Sequence, residues 1–159
     1  MGKMKKNDKF HTFLKWTVFL AYIAALVYFM FFAEILGRTD FSARYRYNLV
    51  PLKEIKRFLN NASTLGWVAV FANIGGNILA FMPFGFCLPL VSRHHFKFVA
   101  TTLYTFGLSL TIELIQLVSK VGSCDVDDLI LNTLGGILGY IIFYIYVKMF
   151  GNSKRKKSR

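Results

Sequence analysis

Four apolar runs, each about as long as a helix needs to cross the ~30 Å hydrocarbon core, divide this chain of 159 residues. They cover about 16–36, 66–91, 98–119 and 129–149, with polar and mostly basic segments between and around them. The pattern predicts an all-α integral membrane protein with four transmembrane helices in a single domain, residues 1–159, ending in a basic tail over 151–159. The first run, Trp16 to Leu36, is too long for a signal-peptide core and lacks a small-residue cleavage site, so it reads as a retained span with Trp16 and Tyr22 toward one interface. The connection 37–65 carries its own period. Leu52, Ile55, Phe58 and Leu59 recur at helical spacing, with Lys53, Glu54, Lys56 and Arg57 on the other face. That is the pattern of a short interfacial helix, and Pro51 stands just before it, where a missing N–H costs little.

The polar positions inside the apolar runs are few and ordered. In the fourth run Asp128, Asn132, Gly135 and Gly139 fall on one stripe (i, i+4, i+7, i+11), with Gly136 beside it. A lipid-facing helix has no use for such a stripe, so another helix or a ligand meets it. Asp125 or Asp128 suits the N-cap of this helix, whereas Asp127 lies off the stripe and reads as a solvated residue. In the second run Asn73 and Asn77 share a face with Gly76 and Ala80, and buried amides in lipid must find partners. Pro83, with Gly85 and Pro89, predicts a kink or a locally opened turn. The third run carries Glu113 and Gln116; an ionised acid near mid-span costs about 2.5–3.5 kcal/mol even on the mildest scale, so Glu113 faces the protein interior, is protonated, or pairs with a cation.

Charge then orients the spans. The formal net charge is +12, from 20 Lys and Arg against 8 Asp and Glu. These cations sit at the chain ends and between apolar runs, where they set topology and meet anionic lipid, so membrane lipids and not nucleic acid are the partners they imply. With four spans, the side holding both termini and the loop near residue 94 collects thirteen Lys and Arg, and the other side seven. Both termini are therefore expected in the cytoplasm of a multi-pass protein. On that topology Asn73, Asn77, Glu113, Gln116, Asp125, Asp128 and Asn132 all fall in the outer half of the bilayer. They read as one polar cavity open to the extracytoplasmic side, with Asn48 and Glu54 as candidates in the connecting loop. Cys87 and Cys124 lie toward opposite faces, beyond disulfide reach, and show no zinc spacing. His94 and His95 read as solvated interfacial residues, and no cofactor motif is present.

The segments NLVPLKEI, NIGGNILAFMPFGFCLPL, TIELIQL and DVDDLILNTLGGILGY, in this order and spacing, make the chain resemble the VanZ-like family of small bacterial membrane proteins over roughly residues 45–141. Leu52 and Ala80 depart from the residues usual at their positions. The resemblance implies a place in the bacterial cell membrane and a role in low-level resistance to the glycopeptide teicoplanin and related lipoglycopeptides; it implies no mechanism. The family-like positions are Asn48, Pro51, Glu54, Asn73, Asn77, Pro83, Gly85, Glu113, Gln116, Asp125, Asp128, Asn132, Gly135 and Gly136. Three readings of the polar set compete. It binds or alters an amphipathic envelope ligand, either a lipid-linked cell-wall precursor or the antibiotic itself. It is an enzyme site with Glu113 as general acid or base and Asp125 and Asp128 as candidate metal ligands, although no activated nucleophile or HExxH motif is present. Or it only knits helices together, the glycines by close packing.

Overall fold

A computed structural model describes residues 6–32, 45–92 and 97–151. Helix α1 is Lys6–Phe32; β1 is Tyr47–Asn48; α2 is Lys53–Asn60 and α3 Ala62–Leu65; α4 is Trp67–Val70 and α5 Gly76–Val91; α6 is Phe98–Ser119; β2 is Cys124–Asp125; α7 is Val126–Tyr146. A π-helical turn, Phe71–Gly75, joins α4 to α5, and another, Val147–Gly151, extends α7. Among the described residues, four helices are long and apolar enough to cross a membrane: Lys9–Phe31, Trp67–Val91, Phe98–Ser119 and Val126–Phe150. The fold is thus the expected all-α membrane protein with a short amphipathic helix, α2, between the first two spans. The fourth span starts at Val126, ahead of the expected 129, because the acids of its first turn are held by the protein and belong to the helix. The expected end of the first span at Leu36, the histidines at 94 and 95, and the tail beyond Gly151 lie outside the described residues.

The core is built on α7, which packs most extensively along α5 and then along α6. Glycine makes the first contact possible. A β-carbon added at Gly85 would run into the Gly136 carbonyl, one at Gly135 into that of Ile78, and one at Gly139 into that of Met82. Such close backbone approach is how helices associate in lipid, where hydrophobic burial supplies no drive. On the other flank Gly136 abuts Thr105, the centre of a buried stripe on α6 formed by Thr101, Thr105, Ser109, Ile112, Glu113 and Gln116. Helix α1 closes the bundle through two apolar clusters, Leu26, Met30, Phe81 and Ile112, and Phe19, Phe84 and Val91.

The opened turn of the second span is not where the prolines suggested. Helix α5 runs unbroken through Pro83 and Pro89, and the Tyr22 hydroxyl donates to the Ala80 carbonyl at 2.7 Å near that proline. The irregular turn is Phe71–Gly75, upstream of Pro83. It carries Asn73. Above the bundle, the two extracore segments are sewn together by a parallel two-residue ladder that the hydropathy pattern does not show. Tyr47 pairs with Cys124 and Asn48 with Asp125, and the Cys124 N–H donates to the Arg46 carbonyl at 3.1 Å.

Candidate functional site

Helix α2 starts without a capping side chain. Its N-cap is Leu52, held in the left-handed region at φ 64°, which is costly for a residue with a β-carbon, by about 1–3 kcal/mol. The missing acceptor comes from another helix. The Asp127 carboxylate, 1% exposed, accepts the backbone N–H of Leu52 through Oδ1, and those of Glu54 (2.7 Å) and Ile55 (3.1 Å) through Oδ2. Three orphan donors at the start of one helix are thereby satisfied by the first turn of another. This corrects the sequence reading of Asp127 as a solvated bystander. A signal for it was present: α2 has Pro-Leu where Ser, Thr, Asp or Asn is usual, so its first-turn donors needed an acceptor from elsewhere.

Asp125 is the N-cap of α7, as the sequence allowed. Its Oδ1 accepts the Asp127 N–H at 2.8 Å and the Asn48 side-chain amide at 3.0 Å. Asn48 in turn accepts the Val50 N–H, an Asx turn that bends the chain toward Pro51. Burial pushes the Asp125 carboxyl above its ordinary value, and the two donors oppose that shift only in part. Beneath it Glu113, 3% exposed, faces the protein interior and accepts the Asp125 N–H at 2.8 Å through Oε2. A linked set of bonds thus runs from α6 through β2 and the first turn of α7 to α2.

From this set Asn48, Glu54 and Asp125 line a polar cavity of about 390 Å³. Tyr45, Arg46, Tyr47 and Asn48 line it from the β1 segment, Lys53, Glu54, Arg57 and Phe58 from α2, Asn73 from the π turn, and Ser123, Asp125 and Asp128 from the start of α7. The π turn matters here, because the extra residue in such a turn re-aims side chains, frequently at functional sites. Glu54 pairs with Arg57 at 2.7 Å, and the Lys120 ammonium lies 4.8 Å from the Tyr45 ring centre.

The seven side chains grouped by depth in the sequence do not form one ring. Asn73, Asp125 and Asp128 line the cavity together with both loop candidates, Asn48 and Glu54. Asn77 stands behind the lining and donates to Asp128 Oδ1. Glu113 lies under Asp125 and does not line the cavity. Gln116 and Asn132 are elsewhere: Gln116 donates to the Met30 carbonyl at 3.1 Å, tying α6 to α1, and Asn132, fully buried, donates to Ser109 Oγ at 2.9 Å between α7 and α6. Lys53 and Arg57, read from the sequence as the polar face of the interfacial helix, belong to the lining together with Arg46. Among the described residues no three His, Cys, Asp or Glu side chains gather as a metal site, although Glu54, Asp125 and Asp128 all line the cavity.

Residues 19–147 match the VanZ/LLP1 family model. The chain is 28% identical over 111 residues to Protein VanZ of Enterococcus faecium, a stretch that covers 70% of this chain and 68% of that protein. No solved structure matches.

Proposed function

The chain belongs to the VanZ/LLP1 family, and from that premise we propose that it binds an amphipathic cell-envelope ligand at a polar cavity facing out of the bacterial cell membrane, with both termini cytoplasmic. The ligand is a lipid-linked wall precursor or a lipid-tailed glycopeptide, and binding it underlies the low-level teicoplanin resistance associated with such proteins. The observation that carries this reading is the cavity itself, a polar chamber of about 390 Å³ at one end of four apolar spans. A polar head in that chamber leaves its acyl tail at the level of the bilayer, so one molecule satisfies both environments. The count of thirteen basic residues against seven on the two sides supports the outward orientation. A catalytic role for Glu113 draws no support from the geometry, because its carboxylate is buried under Asp125 and engaged by a backbone N–H.

The test is to express the parent and an Asn73→Leu variant in a susceptible Gram-positive host and measure the inhibitory concentration of teicoplanin. Asn73 is half-buried on the lining, so leucine narrows the chamber without touching the α5–α7 seam. At equal membrane levels the parent should raise the inhibitory concentration and the variant should return it to the host value. Full resistance with the chamber obstructed would defeat the reading.

A further inference from the structure

The cavity carries cationic and anionic side chains in equal number, Arg46, Lys53 and Arg57 against Glu54, Asp125 and Asp128, so formal charge does not say what it binds. The hydrogen bonds do. Each acid on the lining is already engaged by the protein. Asp125 accepts from Asn48 and from the Asp127 N–H, Asp128 accepts from Asn77, and Glu54 pairs with Arg57. The donors are not used up. Arg46 and Lys53 form no ion pair among the described residues, and the Asn73 side-chain amide makes no hydrogen bond among them. What the chamber has left to offer a ligand is therefore an excess of donors.

Those donors are also mounted on fixed backbone. The Arg46 carbonyl accepts the Cys124 N–H next to the β1–β2 ladder, Lys53 opens the helix whose first turn Asp127 clamps, and Asn73 projects from the π turn. Side chains held on pre-positioned backbone lose less freedom when they close on a ligand.

We infer that the cavity takes the phosphate or diphosphate head of an anionic amphiphile, with Arg46, Lys53 and Asn73 as its donors. The inference rests on the reading of this cavity as an amphiphile site and narrows the head group. Phosphate suits it because its several acceptor oxygens match a fork-shaped guanidinium, a point-like ammonium and an amide at once.

The experiment titrates the purified full chain in detergent with farnesyl diphosphate, farnesol, dodecyltrimethylammonium and inorganic diphosphate, read by calorimetry. Farnesyl diphosphate should bind at least about ten-fold more tightly than farnesol or the cationic amphiphile, roughly the gain from one charge-assisted hydrogen bond. Inorganic diphosphate should compete more weakly than its farnesyl ester, which assigns the site to lipid-borne and not free phosphate; equal competition would make free phosphate the source. Arg46→Gln and Lys53→Gln should each weaken farnesyl diphosphate about ten-fold, whereas Lys56→Gln, on the same helix but off the lining, should change it less than about two-fold. Both arginine and lysine positions are exposed, so these variants should fold, and the head-group series on the parent needs no variant at all. Equal binding of farnesol and farnesyl diphosphate would overturn the phosphate assignment and keep the amphiphile site. Absence of binding by every amphiphile would overturn both.

Discussion

Replacing Asp127 by alanine removes the acceptor of three backbone N–H groups at once. The donors belong to Leu52, Glu54 and Ile55, and the carboxylate that serves them is almost wholly buried. An ordinary N-cap lost to alanine costs about 1 kcal/mol, and one bond to a charged group is worth about 1.5–3 kcal/mol. Three such bonds would total more, but the donors lie in a segment at the edge of the bundle where water can replace part of what is lost. A cost of about 3 kcal/mol follows. It falls on the docking of α2, not on the bundle, because the α5–α7 seam is built from glycines on other turns of α7. Hydrogen exchange followed by mass spectrometry in detergent reads it directly. Amides of residues 52–60 should exchange about a hundred-fold faster in the variant, while those of α5 and α7 keep their rates. Asp127→Asn should fall between, since one amide oxygen remains to accept. Unchanged protection over 52–60 in the alanine variant would show that α2 is held by something other than this carboxylate.

The seam itself predicts a contrast between glycines. Gly139→Ala and Gly85→Ala drive a methyl into facing backbone and should lower thermal stability in detergent by about 2 kcal/mol or more, whereas Gly75→Ala, with open space at its β-carbon, should be tolerated. Asp125→Asn keeps an oxygen for the Asp127 N–H but loses the charge whose burial raises the carboxyl from its ordinary 3.8. The unfolded chain then loses its proton first as pH rises, so the parent should lose stability relative to the variant as pH climbs from 3.8 through the folded value and stay lower above it; the gap between the pH-dependent melts of the two proteins should widen over that window and be constant on either side of it. Cys124, half-buried beside the cavity, should react with an impermeant maleimide added outside cells in a Cys87→Ser background. Its thiol is pushed up by burial and by the nearby carboxylates of Glu113 and Asp125, so labelling should quicken as the pH is raised; labelling only after the membrane is opened would reverse the topology.

Hydropathy made the spans legible because a bilayer accepts few backbone solutions, and a run of about 20 apolar residues has one reading. Periodicity likewise exposed α2 and the glycine stripe of α7. Depth was the weaker guide. Topology placed Gln116, Asn132 and Asp128 at one level of the membrane, yet level says nothing of azimuth. Gln116 turns toward α1 and Asn132 toward α6, and only Asp128 reaches the chamber. Hydroxyls were harder still. Thr101, Thr105 and Ser109 are as buried as any side chain in the bundle, but threonine and serine are tolerated on a lipid face and break no apolar run, so the stripe on α6 left no mark in the pattern.

Asp127, read from the sequence as solvated, explains how the site is assembled. A chamber between two loops and a helix start needs its walls fixed relative to one another, and loops in a small membrane protein have little core to rest on. Here the fixing is done by carboxylates accepting backbone N–H groups: Glu113 holds Asp125, Asp125 holds Asp127, and Asp127 holds the first turn of α2. Each acid in that series is consumed by positioning the next. That is why side chains which look like the chemistry in a list of residues are, in space, the frame. Among the described residues, the groups left facing the chamber with capacity to spare are Arg46, Lys53 and Asn73, an exposed cation beside β1, an exposed cation at the start of α2 and one amide on a π turn. On this arrangement conservative acid-to-amide changes in the frame should act through the order of α2, whereas neutralising the cations should act on ligand binding alone. Measuring exchange over 52–60 and farnesyl diphosphate affinity on the same set of variants separates the two, and a cation variant that disordered α2 would show that the division between frame and site is wrong.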